Sequence, residues 1–432
     1  MAESITGLKY KRVEIQSLDG TKKIDLTNSI VFCDYFEDIL SPCVTMTMQI
    51  AATYSIYNGL PIRGGEKVLL DIDTVSGNFL LDGDYGMYVY KVSGIVADAN
   101  KEYFTLHLAS REALTNETAR VQKKYEKKPI NDHVKDILKN VLKTKKYKEE
   151  NIEKTSNSYS FIGTVKKPFH ILTWLGPKGI PTTTSSGKNG TKSKGVSGFI
   201  FYENKDGFNF RSIDTLVSAT KTQSGSSDKE DITKYTYSQA VEQGATNNNF
   251  TILNYNFEKN IDLMKALRVG MYSNVTYFYD LYENKVEGIT YNISEEVKSK
   301  LGGEGKLGYP KEFGSSPSRI LLRTSDLGVV DKSGDTADSG RDNTDMAKSF
   351  SRYNLLFTQS LNMIVPLNVN LKAGGIVYAQ FQKVDASKSG DVDEEQSGNY
   401  LIKELRHHFE GGQMVTSLKL IRDSYGLYGT KQ

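Results

Sequence analysis

The sequence predicts a mainly β chain in which an α+β segment sits between two β domains, and three observations carry that prediction. Apolar and polar residues alternate over short runs near both ends of the chain, as strands with one buried face require. A stripe of helical period interrupts them from residue 130 onwards. One hairpin pattern, at residues 86–108, recurs at 398–420.

The first β domain is expected over residues 1–109. Val44, Met46, Met48 and Ile50 alternate with Thr45, Thr47 and Gln49, and Phe104, Leu106 and Leu108 alternate with Thr105 and His107. Turn residues at 83–86 and 98–100 separate the strands. The α+β domain is expected over 110–220. Pro129 starts a helix whose Ile130, Val134, Ile137, Leu138, Val141 and Leu142 share one face. A second helix follows Pro168, turns Phe169, Leu172 and Leu175 inward, and stops at Gly176 and Pro177. GFIFYEN and GFNFRSI then read as a hairpin about the turn at 204–207. A Thr/Ser/Gly/Lys tract at 182–198 reads as a flexible loop. The second β domain is expected in two pieces, 221–295 and 350–425, with a polar insertion at 296–349 and a short tail at 426–432.

Composition bounds the function. At about 150 residues per domain, 432 residues make roughly three domains. Lys and Arg number 55 against 52 Asp and Glu, a balance that excludes general attraction to nucleic acid. No apolar run approaches the roughly 18 residues that span a bilayer, and the start lacks the apolar run of a secretory signal, so a cytoplasm-like compartment is expected. Two cysteines, Cys33 and Cys43, do not make a disulfide framework.

The repeat is the informative feature. Laid ungapped, the two hairpins match Gly86 with Gly398, Tyr88 with Tyr400, Lys91 with Lys403, Leu106 with Leu418 and Leu108 with Leu420. Upstream, IRGGEKV and LKAGGIV match Gly65 with Gly374 and Val68 with Val377. Two matched signals in the same order point to a duplicated β domain. Gly65, Gly86, Gly374 and Gly398 are the expected turn positions, and the matched Val, Tyr and Leu are the expected strand positions.

The chain also resembles the central baseplate hub proteins of contractile-tailed, T-even-like bacteriophages. The resemblance rests on YFEDILSPCVTMTMQI, GLPIRGGEKVLLDI, LASREALTNETARVQKKYEKKPINDHVKDIL, KKPFHILTWLGPKGIP with GFIFYENKDGFNFRSIDTL, and NYLIKELRHHFEGGQMVTSLKLIRDSYG, in that order. It implies two tube-type antiparallel β-barrels per chain, with the α+β domain between them and the insertion in the second. It further implies a homotrimer with six near-equivalent units, able to join a six-fold tail tube to a three-fold spike. The implied partners are the tail-tube protein, a spike or spike-lysozyme protein and the wedge proteins. The implied place is the virion's tail baseplate, assembled in the host cytoplasm.

No catalytic pattern displaces this reading. Gly303, Gly305 and Gly308 spell GxGxxG, but without a strand before or a helix after, so no dinucleotide site is expected. The histidines His107, His133, His170, His407 and His408 lack metal-ligand spacing, and His407 and His408 point to opposite faces of a strand. Asp71 and Asp73 share a strand face without identifying a hydrolase, and no GxSxG elbow occurs. Lys123, Lys124, Lys127, Lys128, Lys135, Lys139, Lys143, Lys145, Lys146 and Lys148 read as a solvated helix face or a contact for an acidic neighbour. Only Tyr125 and Tyr147 accompany them, so sequence-specific nucleic-acid binding is not expected. The expectation is a structural hub with no catalytic, cofactor or metal residues. The rival readings are a tail-associated cell-wall hydrolase, a host-binding adhesin, and a hub fused to its spike; so little chain follows the last strand that any spike is expected to be a separate polypeptide.

Overall fold

A computed structural model describes residues 7–53, 60, 62–98, 100–182, 197–217, 232–237, 248–259, 262–280, 284–292, 316–325, 343–383, 392–412 and 414–424. The GxGxxG string, most of the 182–198 tract and the 426–432 tail lie outside them.

Eight strands open the chain: β1 (Lys9–Gln16), β2 (Lys23–Asp25), β3 (Ile30–Asp38), β4 (Thr45–Ala52), β5 (Lys67–Thr74), β6 (Gly77–Leu81), β7 (Met87–Asp98) and β8 (Lys101–Ser110). Alternation decides their faces. Met46, Met48 and Ile50 of β4 are buried, as are Phe104, Leu106 and Leu108 of β8, while the residues between them are half exposed. Full burial of each such side chain is worth about 1.5–3 kcal/mol.

The α+β segment follows: α1 (Arg111–Thr118), β9 (Lys124–Pro129), α2 (Ile130–Asp136), β10 (Ser158–Ile162), α3 (Pro168–Leu175), β11 (Phe199–Asn204), β12 (Gly207–Ser212) and α4 (Ile213–Leu216). Ile130, Val134, Ile137, Leu138 and Leu142 form the buried stripe of α2 and its continuation. That continuation widens into a turn closed by the Leu142 N–H on the Ile137 carbonyl at 3.0 Å, and Lys143 at φ 52° ends it. Phe199 stacks on Phe210 at 4.7 Å between ring centroids, and Phe201 on Phe208 at 5.6 Å, so β11 and β12 are buried on both faces.

The remaining elements are β13 (Thr233–Thr236), β14 (Asn254–Lys259), α5 (Leu263–Arg268), β15 (Ser273–Asp280), β16 (Lys285–Asn292), β17 (Arg319–Ser325), α6 (Asn343–Leu355), β18 (Gln359–Pro366), β19 (Ile376–Gln380), β20 (Gly398–Glu410) and β21 (Val415–Arg422). Most strands belong to one 14-stranded sheet with the order β14-β18-β21-β20-β3-β4-β8-β7-β5-β1-β2; β6 pairs with β5, and β19 pairs with β20 and β13. All its pairs are antiparallel except β13 with β19. The early and late β units are therefore one continuous sheet, joined where β3 meets β20.

One boundary differs from the expectation. The run GMYSNVTYFYD, assigned above to the second β domain, forms β15, which pairs with β16 and lies parallel to β17 in a separate three-stranded sheet. The insertion therefore opens near Asp262, where that side chain caps α5 by accepting from the Lys265 N–H at 3.0 Å, rather than at 296. It ends through α6, which runs to Leu355. Strand alternation reports which face is buried and carries no information about which sheet receives it.

Candidate assembly interface

The two β units carry the same ladder. Leu108 faces Met46 of β4 and Val89 of β7, and Leu420 faces Leu361 of β18 and Ile402 of β20. Leu106 lies between Met48 and Val92 as Leu418 lies between Met363 and Leu405. The Gly65 N–H donates to the Val89 carbonyl at 2.7 Å, and the Gly374 N–H to the Ile402 carbonyl at 2.9 Å. The same two residues donate back, Val89 to Glu66 and Ile402 to Gly375. Each first hairpin strand then bulges at once, between Val89 and Lys91 and between Ile402 and Glu404. Gly65 has φ +95° and Gly374 φ +83°, the region that favours glycine.

The hairpin match shifts by one in its first strand. Val68 pairs with Met87, whereas Val377 pairs with Tyr400, so Met87 and not Tyr88 stands where Tyr400 does. Tyr400 is buried and Tyr88 only half buried. Gly86, Tyr88 and Lys91 thus stand one place off Gly398, Tyr400 and Lys403. The cause is an extra residue at a second bulge between Ser93 and Val96, where Gly94 adopts φ +64°. Beyond it Val96 opposes Tyr103 as His408 opposes Val415, and the two sequences run level again.

The seam between the units runs from Glu404 opposite Asp38 to Glu410 opposite Phe32. Arg406 grips Asp34 with two bonds of 2.8 Å, His408 lies 2.7 Å from the same carboxylate, and Lys403 reaches Asp38 at 3.0 Å. Val369 and Phe409 of the second unit are buried in the first unit's core.

Two buried acids pin the α+β segment to this seam. Glu37 accepts the Lys205 N–H at 2.6 Å, the Ala373 N–H at 2.7 Å and the Tyr35 hydroxyl at 3.0 Å. Burial pushes its pKa up to about 7, against those hydrogen bonds. Glu203 accepts the Val44 N–H at 3.1 Å and faces Lys146, whose Nζ is 3.3 Å from Glu203 and 3.0 Å from Glu112. Lys146 is therefore not on the solvated face expected of the lysine run; it is buried between two carboxylates. Several of its neighbours, such as Lys123 beside Asp136, do sit at the surface.

His133 and His407 are buried, His107 and His408 half-buried, and His170 exposed. His407 lies in the core beside Tyr35, Phe79 and Phe409, where burial lowers its pKa to about 3. His133 bonds the Tyr159 carbonyl at 2.7 Å, and His107 bonds Ser93 at 2.8 Å. No group of three or more His, Cys, Asp or Glu suited to a metal occurs among the described residues. Asp73 pairs with Lys11 at 3.1 Å on the surface, and both cysteines are free thiols. No helix among the described residues is long and apolar enough to cross a membrane. A cavity of about 500 Å³ lined by Tyr159, Phe161, Trp174 and Thr324 has its aromatic face taken by Lys178, 4.5 Å from the Trp174 ring centre.

No protein-family model and no curated protein sequence matches the chain. Among solved structures, a tail protein from Neisseria meningitidis superposes with a TM-score of 0.54 at 10% identity, covering 96% of this chain and 97% of that one. The chain has a tail-protein fold. A prophage tail protein of 43 kDa from Shewanella oneidensis scores 0.49 at 9% identity over 96% of this chain and 98% of its own. A prophage tail protein from Listeria monocytogenes scores 0.47 at 10% identity over 95% and 94%. The match to the Neisseria protein, covering 96% of this chain, takes in both β units and the segment between them, which agrees with the mainly β architecture expected from the residues.

Proposed function

We propose that this chain is the structural hub of a phage-type tail baseplate. Three copies would close into a ring of six near-equivalent β units, joining a hexameric tube on one side to a trimeric spike on the other. The observation that carries the reading is the shared ladder: one chain holds two copies of a β unit, alike in strand order, glycine turn and bulge. A threefold assembly of such chains presents sixfold contacts, which a protein with one unit per chain could offer only by assembling six copies. The resemblance noted in the sequence and the tail-protein fold support the same reading. The proposed partners are a tail-tube protein, a spike or spike-lysozyme protein and wedge proteins, and the proposed place is the virion baseplate after assembly in the host cytoplasm. The proposed domains follow the β units, the α+β segment at 110–220 and the insertion.

The role is mechanical. Glu37 and Glu203 tie the units to the α+β segment through buried polar contacts, which suits a part that must keep its shape under load. Light scattering of the purified chain tests the proposal: we expect a mass of three protomers, and a strictly monomeric chain at working concentration would count against it. Peptidoglycan clearing in a zymogram would favour the hydrolase instead.

A further inference from the structure

We propose that the cavity between β10, α3 and β17, together with the open sheet face that continues from it, docks an acidic segment of another protein, one that carries apolar side chains beside its carboxylates. The inference goes beyond the hub reading and stands whether or not the ring forms.

The sheet of β16, β15 and β17 has two unlike faces. Asn274, Thr276 and Phe278 of β15 are buried under α6, where the Asn274 amide donates to the Ser351 hydroxyl at 3.0 Å. The other face lies open. Leu322 and Ile320 of β17 are 82% and 68% exposed, Val286 of β16 is 60% exposed, and Tyr277 and Tyr279 of β15 are exposed beside them. The register makes these one patch: Tyr277 faces Leu322 on one side and Gly288 on the other, while Tyr279 faces Thr324 and Val286. Gly288 leaves room for the Tyr277 ring to lie across it, since a methyl there would stand 2.9 Å from the ring. Along the paired residues of the three strands this face carries no charge. A contiguous exposed apolar patch on adjoining strands marks a contact with another molecule.

Thr324 joins the patch to the cavity of about 500 Å³, whose wall it shares with β10 and α3. That volume lies in the range of ligand pockets. Phe161, Ile162, Ile171 and Trp174 supply apolar walls. The charges are of one sign: Lys166, Lys178 and, when protonated, His170 line the cavity, and no carboxylate does among the described residues. The Lys178 ammonium lies 4.5 Å from the Trp174 ring centre and 4.8 Å from that of Tyr159, so a cation is held at the wall with part of its water already displaced. A carboxylate arriving there meets a cation already in place.

Charge complementarity selects the occupant. A second copy meeting this face with its own would set lysine against lysine. A bilayer surface would cover the sheet and leave the walled cavity unfilled. An acidic segment with apolar side chains answers both parts, laying leucine-like groups on Ile320 and Leu322, anchoring one in the cavity, and bringing its carboxylates to Lys166 and Lys178.

Trp174 is the chain's single tryptophan, so its emission reports the cavity directly. The probe is the blocked heptapeptide Asp-Leu-Glu-Phe-Glu-Leu-Asp, titrated into the full-length chain beside its counterpart with lysine at each acidic position. We expect a saturable change of Trp174 emission with the acidic peptide and none with the lysine peptide. Lys166→Ala combined with Lys178→Ala, and separately Leu322→Ser, should each weaken binding by about tenfold while circular dichroism stays unchanged. Equal affinity for the two peptides, or no saturable change with the acidic one, overturns the proposal. It is also overturned if Trp174 answers to phosphatidylglycerol vesicles and not to the peptide, or if Leu322→Ser lowers the mass seen by light scattering, which would give the face to a second copy.

Discussion

Gly65 and Gly374 show how a single residue type can mark a fold, and how its surroundings set the penalty for changing it. Both hold a positive φ, so any side chain there is strained by roughly 1–2 kcal/mol. Their neighbours differ. A methyl added at Gly65 would come 2.7 Å from Leu18 Cδ2, the far end of a side chain that is 69% exposed and can swing away. A methyl at Gly374 would come 2.2 Å from the Tyr202 hydroxyl and 2.8 Å from its ring, which is buried and cannot yield. We expect Gly374→Ala to destabilise by about 3 kcal/mol or more and Gly65→Ala by about 1–2 kcal/mol. Thermal midpoints read by circular dichroism check this, and equal midpoints for the two variants would contradict it. Residue identity makes these two turns legible in the sequence itself. The extra residue at Gly94 is not legible there, because a bulge in one strand is invisible when the two hairpins are laid side by side at equal length.

At the scale of elements, the alternation that reveals β4 and β8 comes from each strand's own pleat and is readable locally. The same holds for the buried stripe of α2. What joins elements is less readable. Lys146 looks like its neighbours in a basic run, and only the approach of Glu112 and Glu203 from distant elements makes it a buried ion. The start of the insertion is hidden for a similar reason, since β15 alternates like any strand of the larger sheet. Glu37 ties three elements together: β3, the turn after β11 and the loop before β19. Its pKa in the fold, about 7, lies above the ordinary 4.5, so folding takes up a proton between those values. Its contribution to stability is therefore complete below about pH 4.5 and is lost as pH rises through 7, by at most roughly 3 kcal/mol. We expect the thermal midpoint to fall between pH 5 and 8, and Glu37→Gln to flatten that slope. The variant should also lower the midpoint at pH 5, because an amide cannot accept from both backbone N–H groups as the carboxyl does. An unchanged slope in Glu37→Gln would show that another group titrates.

The whole molecule is a chain whose two β units, alike in strand order, meet in one sheet between β20 and β3. This explains why so few residues are shared between the repeats. The sheet needs the same inward face, the same glycine turn and the same bulge, while the side chains packed beneath are free to differ, as Met87 and Tyr400 do. The ring proposed for three such chains would present six of these units, with Arg406 and Asp34 paired at each junction inside a chain. Averaged electron-microscope images of the assembled particle, viewed down its axis, test this most directly. We expect an annulus with six similar lobes and the mass of three chains; a ring of six chains, or three lobes with no sixfold repeat, would contradict it.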